Sequence, residues 1–246
     1  MFRNRDKTRT HKHNMQIAML LSLVAGFINV AGFISVGVLT TNVTGHFAFM
    51  VNDVVESHFS EGLIYGFYVI SFFLGAFSAN LLVELMFIKN ERFIYSVPLG
   101  LEILLISIVA FFGHDIEFGF QTWIAIILLF AMGMQNSLVT KISKAVVRTT
   151  HLTGLFTDLG IELSQLFFVK SLENRSKLKS TILLRLTIIV FFFLGGIFAG
   201  FIFPVLHFKS LYLMAILLAF ALIYDNLKYT FLKWKLNIRR HYLRKE

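Results

Sequence analysis

The sequence predicts an all-α integral membrane protein with about six transmembrane helices, arranged as two inverted three-helix repeats that each contain a candidate re-entrant half-helix. Three observations lead to this fold class: the composition, a series of long apolar runs, and a polar motif that occurs in both halves of the chain. Hydrophobic residues make up 57% of the 246 residues, and charged residues only 15%. A water-soluble domain of this size could not bury that much apolar surface, so lipid must be the main solvent.

The apolar runs predict the spans. They lie at residues 16–38, 63–87, 93–112, 120–138, 181–203 and 211–224. A span takes roughly 20 apolar residues, so these runs are long enough to cross the hydrocarbon core, although the last is slightly short. The first run is longer than the apolar region of a cleaved signal peptide, and we expect it to remain as the first span.

These runs define one membrane domain with two tails. We expect the membrane domain at residues 16–227, with repeat 1 at about 16–113 and repeat 2 at about 120–227. A basic tail precedes it at 1–15. A basic amphipathic tail follows at 228–246, with the composition of a helix that contacts anionic lipid headgroups.

The distribution of Lys and Arg, which give the chain its net charge of +9, predicts the orientation. The basic residues flank apolar segments instead of forming a soluble basic face, so no nucleic-acid partner is predicted. Lys and Arg accumulate on the cytoplasmic side of membranes. They are concentrated in both tails and around Lys89, Lys141 and Lys170, whereas the segment 41–61 contains none. Both termini are therefore predicted to be cytoplasmic.

An internal repeat organises the chain. The segment 40–47, Thr-Thr-Asn-Val-Thr-Gly-His-Phe, aligns without gaps to 149–156, Thr-Thr-His-Leu-Thr-Gly-Leu-Phe. Two flanking matches occur in the same order: 26–29 with 133–136, and 72–76 with 192–196. Three spans in each half invert the second half relative to the first, so the two motif segments should lie on opposite membrane faces.

A moderately apolar stretch follows each Thr-Gly pair, at 46–55 and 155–168, and each is too short or too polar for a confident full span. We expect Thr44 and Thr153 to be N-caps of half-helices. The N-termini of the two helices would then approach a central site from opposite sides. Two alternatives remain open: surface amphipathic helices, or one additional full span in each half.

Polar residues in the spans and in the motif segments predict the substrate site. Amides in hydrocarbon are costly and usually face the bundle interior or a water-filled cavity, although buried amides also tie helices together. Asn80 is a further amide of this kind. The predicted substrate-binding residues are Asn29, Asn42, Thr44, Gly45, Gln135, Asn136, Arg148, Thr149, Thr150, His151, Thr153 and Gly154. The spacings Gly75/Ala79 and Gly195/Ala199 predict close helix packing.

Three acidic residues are candidates for proton coupling. Asp158 and Glu162 are four residues apart and would share a helix face, where mutual repulsion could hold one of them protonated near neutral pH. Asp53 is the repeat equivalent of Glu162. The alternative is that these carboxylates pair with Arg148 or are solvated at the interface. His46 and His151 would be relay groups or interfacial histidines.

These motifs resemble the YoaK family of bacterial membrane proteins, a domain of unknown function. The resemblance rests on the segments 25–29, 42–45, 131–136 and 147–154, of which Val-Arg-Thr-Thr-His-Leu-Thr-Gly is the most specific. Family members commonly have Asp where this chain has Asn29, and Asn where it has His46, which weakens a charge-based role at those positions. The resemblance implies a location in the bacterial inner membrane and gives no substrate.

The leading hypothesis is a transporter of a small polar or anionic solute, without a catalytic role. No cofactor or metal is predicted, and the absence of cysteine excludes disulfides and thiolate-bound metals. The alternatives are a passive channel, a membrane scaffold or sensor that uses the basic tail, and an intramembrane lipid enzyme built on His151, Asp158 and Glu162. The enzyme is the least favoured because no metal-ligand motif or nucleophile elbow is present. A homo-oligomer is compatible with the sequence.

Overall fold

The computed structural model describes residues 10–89, 93–113 and 120–243, without the side chains of residues 229 and 231–243. This part of the chain contains eight α-helices and no strand. The helices are α1 (His11–Val36), α2 (Val43–Val55), α3 (Phe59–Lys89), α4 (Ser96–Phe112), α5 (Gln121–Ser143), α6 (Leu152–Gln165), α7 (Leu172–Leu206) and α8 (Leu211–Leu243). A short 3-10 turn, His207–Ser210, joins α7 to α8.

Apolar helices dominate the described residues. Four helical stretches are long and apolar enough to cross a membrane: His11–Val36, Phe59–Lys89, Gln121–Ser143 and Leu172–Lys228. The last stretch includes α7, the 3-10 turn and the start of α8, so it contains two of the predicted runs. Helix α4 is apolar but only 17 residues long. Large apolar side chains on the outer surface, such as Phe201 with 77% exposure, fit a lipid environment.

The helices extend beyond the predicted runs. Helix α7 begins at Leu172, well before the predicted start at 181, because the basic segment that precedes the apolar run is also helical. The predicted tail at 228–246 continues α8 up to Leu243 and is not a separate helix. Its headgroup contacts lie outside the described side chains. In the predicted N-terminal tail, residues 1–9 lie outside the described residues, and α1 begins at His11.

Two parallel helix pairs form the centre of the bundle: α1 packs along α7, and α3 packs along α5. At the start of α1, the His11 ring contacts the carbonyl of Ser180 at 3.0 Å. At its far end, Ser35 lines a pocket together with Phe203 of α7. The α3/α5 pair is linked in the same sense by the hydrogen bond from Ser71 to the carbonyl of Ile126 and, farther along, by the Glu84–Lys141 ion pair. Helix α2 packs on α3, α6 on α7, and α4 on α5 and α8.

Glycines allow each pair to approach to backbone contact. A Cβ atom on Gly26 of α1 would meet the backbone carbonyl of Phe192, and one on Gly195 of α7 would meet that of Leu23. The α3/α5 pair has the same arrangement, with Gly133 against the carbonyl of Phe72 and Gly75 against that of Phe130. Ala79 and Ala199 are fully buried. The predicted close packing at both small-residue spacings is therefore confirmed.

These contacts predict that Gly195→Ala destabilises the protein, because the added methyl group must displace the backbone of α1. We expect a lower apparent melting temperature in detergent and a free energy of unfolding that is lower by about 1–3 kcal/mol. The matched control is Gly200→Ala in the same helix, where a Cβ atom has nothing within 4 Å. Equal melting temperatures for the two variants would contradict the close crossing.

Candidate functional site

A cavity of about 890 Å³ lies where α1, α3, α5 and α7 meet the starts of α2 and α6. Most of the lining residues carry amide, hydroxyl, imidazole or guanidinium groups or aromatic rings. They are Asn29, Leu39, Thr41, Asn42, Val43, Thr44, Val69, Phe72, Phe73, Ala76, Asn136, Thr140, Arg148, Thr150, His151, Leu152, Thr153 and Phe192. We call this space the central cavity.

The lining residues of the central cavity come largely in pairs that the sequence alignment makes equivalent. The pairs are Asn29 with Asn136, Thr41 with Thr150, Asn42 with His151, Val43 with Leu152, Thr44 with Thr153, and Phe72 with Phe192. Leu39 and Arg148 form one further pair of equivalent positions, apolar in the first half and charged in the second. Both halves therefore contribute the same positions to one space.

Two short helices begin at this cavity. Helix α2 has 13 residues and α6 has 14. At a rise of 1.5 Å per residue each is about 20 Å long, shorter than the hydrocarbon core of about 30 Å. Helix α2 begins beside Phe72, deep within α3, and a Cβ atom on Gly62 near the start of α3 would lie 3.3 Å from the Met50 carbonyl of α2. Each short helix thus runs from the central cavity toward an end of the bundle.

The helix caps differ from the prediction. Thr44 and Thr153 lie inside the first turns, and the N-cap residues are Asn42 and His151. The expectation of threonine caps was wrong because the helices begin before the Thr-Gly pairs. Asn42 Oδ1 accepts a hydrogen bond from the Gly45 N–H at 3.1 Å, whereas the His151 side chain makes no capping hydrogen bond.

The glycine of each Thr-Gly pair leaves room for the capping residue. A Cβ atom on Gly45 would meet the Asn42 amide, and one on Gly154 would meet the His151 ring. Neither glycine lines the cavity. Both glycines were predicted to bind the substrate, but in the structure they make room for the capping residues at the starts of α2 and α6.

The two equivalent asparagines are used differently. Asn29 Oδ1 accepts hydrogen bonds from the Thr41 N–H at 3.0 Å and from the Thr41 hydroxyl at 2.9 Å, which joins α1 to the segment before α2. Asn136 Oδ1 is buried and has no hydrogen-bond partner within the described residues. Thr150, the repeat equivalent of Thr41, lines the cavity. Within the described residues, the second half therefore has no equivalent of the Asn29–Thr41 hydrogen bonds.

Some predicted site residues do not line the cavity. Gln135 is fully buried and donates a hydrogen bond to the Leu21 carbonyl at 2.9 Å, so it ties α5 to α1. Thr149 is also fully buried, and its hydroxyl has no partner within the described part of the chain. His46 is buried against Tyr65 and Tyr68, with its Nε2 2.9 Å from the Leu39 carbonyl.

A second cavity of about 740 Å³ lies between the ends of α3 and α5. Its charged and amide side chains include Asn80, Glu84, Lys141 and Lys144. Three residues line both cavities: Ala76, Asn136 and Thr140. This basic-side cavity is therefore adjacent to the central one, with Asn136 at the junction.

Comparison with known proteins identifies the family. A family model described as "Protein of unknown function (DUF1275)" matches residues 17–224. The chain belongs to the DUF1275 family. It is 28% identical over 181 residues to the UPF0700 transmembrane protein YoaK of Bacillus subtilis (strain 168). This alignment covers 70% of the present chain and 76% of YoaK. No solved structure matches at a significant level. The resemblance to the YoaK family is therefore confirmed.

In this DUF1275 protein, the acidic residues proposed for proton coupling lie away from the central cavity. Arg185 of α7 contacts Asp158 at 2.8 Å and binds both carboxylate oxygens of Glu162 at 2.8 and 2.9 Å. The guanidinium offsets the mutual repulsion on which the coupling hypothesis rested, and the pairing partner is Arg185, not Arg148. Asp53 lies near the outer end of α2 and does not line either cavity.

The corresponding contact in the first half of the DUF1275 chain is aromatic. Phe49 of α2 and Tyr65 of α3 are the repeat equivalents of Asp158 and Arg185, and their ring centroids are 5.2 Å apart. His46 adds further ring contacts to the same interface. Apolar contacts thus hold α2 on α3, whereas an ion-pair network holds α6 on α7.

Glu102 was not among the predicted site residues. This residue is fully buried in α4, and neither carboxylate oxygen has a hydrogen-bond partner within the described ranges. The available signal was that Glu102 is the sole ionisable acid in the run 93–112. Within the described residues, no group of three or more His, Cys, Asp or Glu could hold a metal ion.

The ion-pair network predicts that Arg185→Gln loosens α6. Glu162 is only 13% exposed, so loss of Arg185 leaves a largely buried carboxylate without its counter-charge. We expect the free energy of unfolding of the detergent-solubilised protein, measured by thermal unfolding, to fall by about 1–3 kcal/mol.

The matched control is Lys177→Gln, which breaks an exposed pair with Glu173 in the same helix. We expect a change below about 0.5 kcal/mol for this variant, because exposed pairs contribute little. If Arg185→Gln is as stable as the control, the network does not fasten α6 to α7.

Proposed function

We propose that this DUF1275 chain transports a small polar or anionic solute across the bacterial inner (cytoplasmic) membrane. In this proposal six helices span the membrane, namely α1, α3, α4, α5, α7 and α8, and both termini are cytoplasmic. The spans form two inverted three-helix repeats, and α2 and α6 are re-entrant half-helices. The observation that carries the proposal is the central cavity, which both halves line with equivalent residues.

The helix crossings support the inverted repeat. Gly26 and Gly133 are repeat equivalents, as are Gly75 and Gly195. Each glycine contacts the other half at the carbonyl of an equivalent residue: Phe192 for Gly26, and Phe72 for Gly133. A two-fold axis that exchanges the halves would also exchange these two contacts, as in transporters built from inverted repeats.

The short helices support a central binding site. Both begin at the cavity, and half-helix N-termini carry partial positive charge that favours polar or anionic groups. Irregular backbone at membrane depth is tolerated where it lines a water-filled cavity. Transporters commonly bind their solute at such broken elements between two repeats.

Charge at the helix ends supports the proposed orientation. Lys141 lies at the end of α5, and Lys177 and Lys179 lie near the start of α7, where the positive-inside tendency favours the cytoplasm. Helix α4 is the shortest of the proposed spans. Its 17 residues extend about 26 Å, a mismatch that local thinning of the bilayer can accommodate.

Proton coupling at Asp158 and Glu162 remains part of the proposal, with Asp53 as the equivalent position in the first half. Arg185 contacts both carboxylates, so movement of α7 relative to α6 would change the surroundings of both. Protonation would then be linked to movement of the second half-helix. Uptake that does not respond to an imposed pH gradient would remove this part of the proposal.

Solute uptake by reconstituted vesicles tests the transport function. Purified full-length protein is placed in proteoliposomes, and uptake is measured for erythritol, succinate, phosphate and choline. We expect at least one polar or anionic solute to enter faster than in protein-free vesicles, with a rate that saturates as its concentration rises. Linear, non-saturating flux would instead favour a passive channel.

A blocking variant separates flux through the cavity from leakage. Ala76→Trp fills the junction of the two cavities, and we expect it to reduce uptake by about tenfold or more. Phe77→Trp is the control, because Phe77 is the next residue of α3 and is 57% exposed on the outer surface. Equal uptake by the two variants, or no uptake of any of the four solutes, would contradict the proposal.

A further inference from the structure

The charge of the central cavity points to a specific class of solute. Among the residues that the structure describes, its lining contains no Asp or Glu, while Arg148 contributes a guanidinium group. From this arrangement we infer that the solute is a small oxyanion, a carboxylate or a phosphate, and that Arg148 is its counter-charge. The inference rests on the proposed transport function and narrows it.

Arg148 has no counter-ion of its own within the part of the chain that the structure describes. The contrast with Arg185 is direct, since that guanidinium contacts two carboxylates. Arg148 is an exposed residue of the cavity lining, so its guanidinium is accessible to a solute. An oxyanion in the cavity would supply the partner, and a guanidinium can bind two of its oxygens at once.

Arg148 has no charged equivalent in the first half. Its equivalent is Leu39, which also lines the cavity and whose carbonyl accepts a hydrogen bond from His46. The flanking residues Thr40 and Thr149 are identical and fully buried in both halves. The two halves therefore share the buried threonine, and only the second half has a charged residue directly before it.

Neighbouring groups of the second half add hydrogen-bond donors on the same side. No side chain of the described residues caps the α6 N-terminus, whereas Asn42 caps α2. Its first N–H groups therefore remain available, and helix N-termini bind anions readily. Thr150 and Thr153 also line the cavity near Arg148. Arg148, the hydroxyls and the uncapped helix start form one potential oxyanion site.

The basic-side cavity provides an approach of matching charge. Lys141 and Lys144 line it, and the one acidic residue in the described part of its lining, Glu84, is paired with Lys141 at 2.7 Å. Positive potential in a cleft raises the local concentration of anions. The shared residues Asn136 and Thr140 connect this space to the central cavity.

The cavity also has an apolar side. Phe72, Phe73 and Phe192 line it, and at about 890 Å³ it is larger than a bare inorganic anion needs. A small organic anion could contact these rings through its carbon atoms while its oxygens meet Arg148. Succinate is therefore the better probe of the two oxyanions, and phosphate tests the charge requirement alone.

Uptake by proteoliposomes tests the inference with three variants. We expect the wild type to take up radiolabelled succinate or phosphate in preference to erythritol and choline. Arg148→Gln should reduce this uptake by about tenfold or more, and Arg148→Lys by less, because the charge remains but the bidentate geometry is lost. Arg175→Gln removes a positive charge of α7 outside both cavities and should leave uptake unchanged.

The outcomes separate the inference from the function on which it rests. Wild-type uptake of erythritol or choline without either oxyanion would leave the transport function standing and overturn the inference. The inference also fails if Arg148→Gln, folded as judged by its melting temperature, takes up oxyanion at the wild-type rate. It fails again if Arg148→Gln and Arg175→Gln reduce uptake equally, since general surface charge then explains the effect. No uptake of any solute would overturn both proposals.

Discussion

Backbone contact between helices from different halves is the constraint on which the rest of this structure depends. The carbonyls of Phe192 and Phe72 lie where Cβ atoms of Gly26 and Gly133 would otherwise be. In lipid, helix association gains little from the hydrophobic effect, so close van der Waals packing at small residues must hold the helices together. The two crossings bring α1 to α7 and α3 to α5, and thereby interleave the halves of the chain.

This interleaving explains why the polar motifs meet at one cavity. The segments before α2 and α6 follow α1 and α5 directly, so the positions of those helices determine where the short helices begin. A short helix that starts inside the bundle needs partners for its first N–H groups. Asn42 supplies one in the first half, whereas the second half has Arg148 and an uncapped start. The start of α2 is therefore capped by a side chain, whereas, among the described residues, the start of α6 is not.

Much of the architecture could be predicted because composition, apolar runs and self-similarity are read directly from the chain. The identity of the central residues Asn29, Asn136 and Thr150 also followed from the repeat. The ion pairs of Arg185 could not be predicted, since they depend on how α6 lies against α7. Gln135 was predicted to bind the substrate because an amide in a span often faces a cavity. Such an amide can equally tie helices together, and here it donates a hydrogen bond to the Leu21 carbonyl. Glu102 was overlooked although it stands alone in an apolar run.

Cysteine accessibility tests the central claim most directly, because the native chain contains no cysteine to remove. Single cysteines at Val55 and Thr44 report on the two ends of α2, and those at Gln165 and Thr153 on the two ends of α6. With a membrane-impermeant thiol reagent, the account predicts labelling of Val55→Cys only from the periplasmic face and of Gln165→Cys only from the cytoplasmic face. Labelling from each of those faces should decrease along the helix toward the cavity. Uniform labelling along both helices, or labelling of both from one face, would contradict re-entrant half-helices and the central site between them.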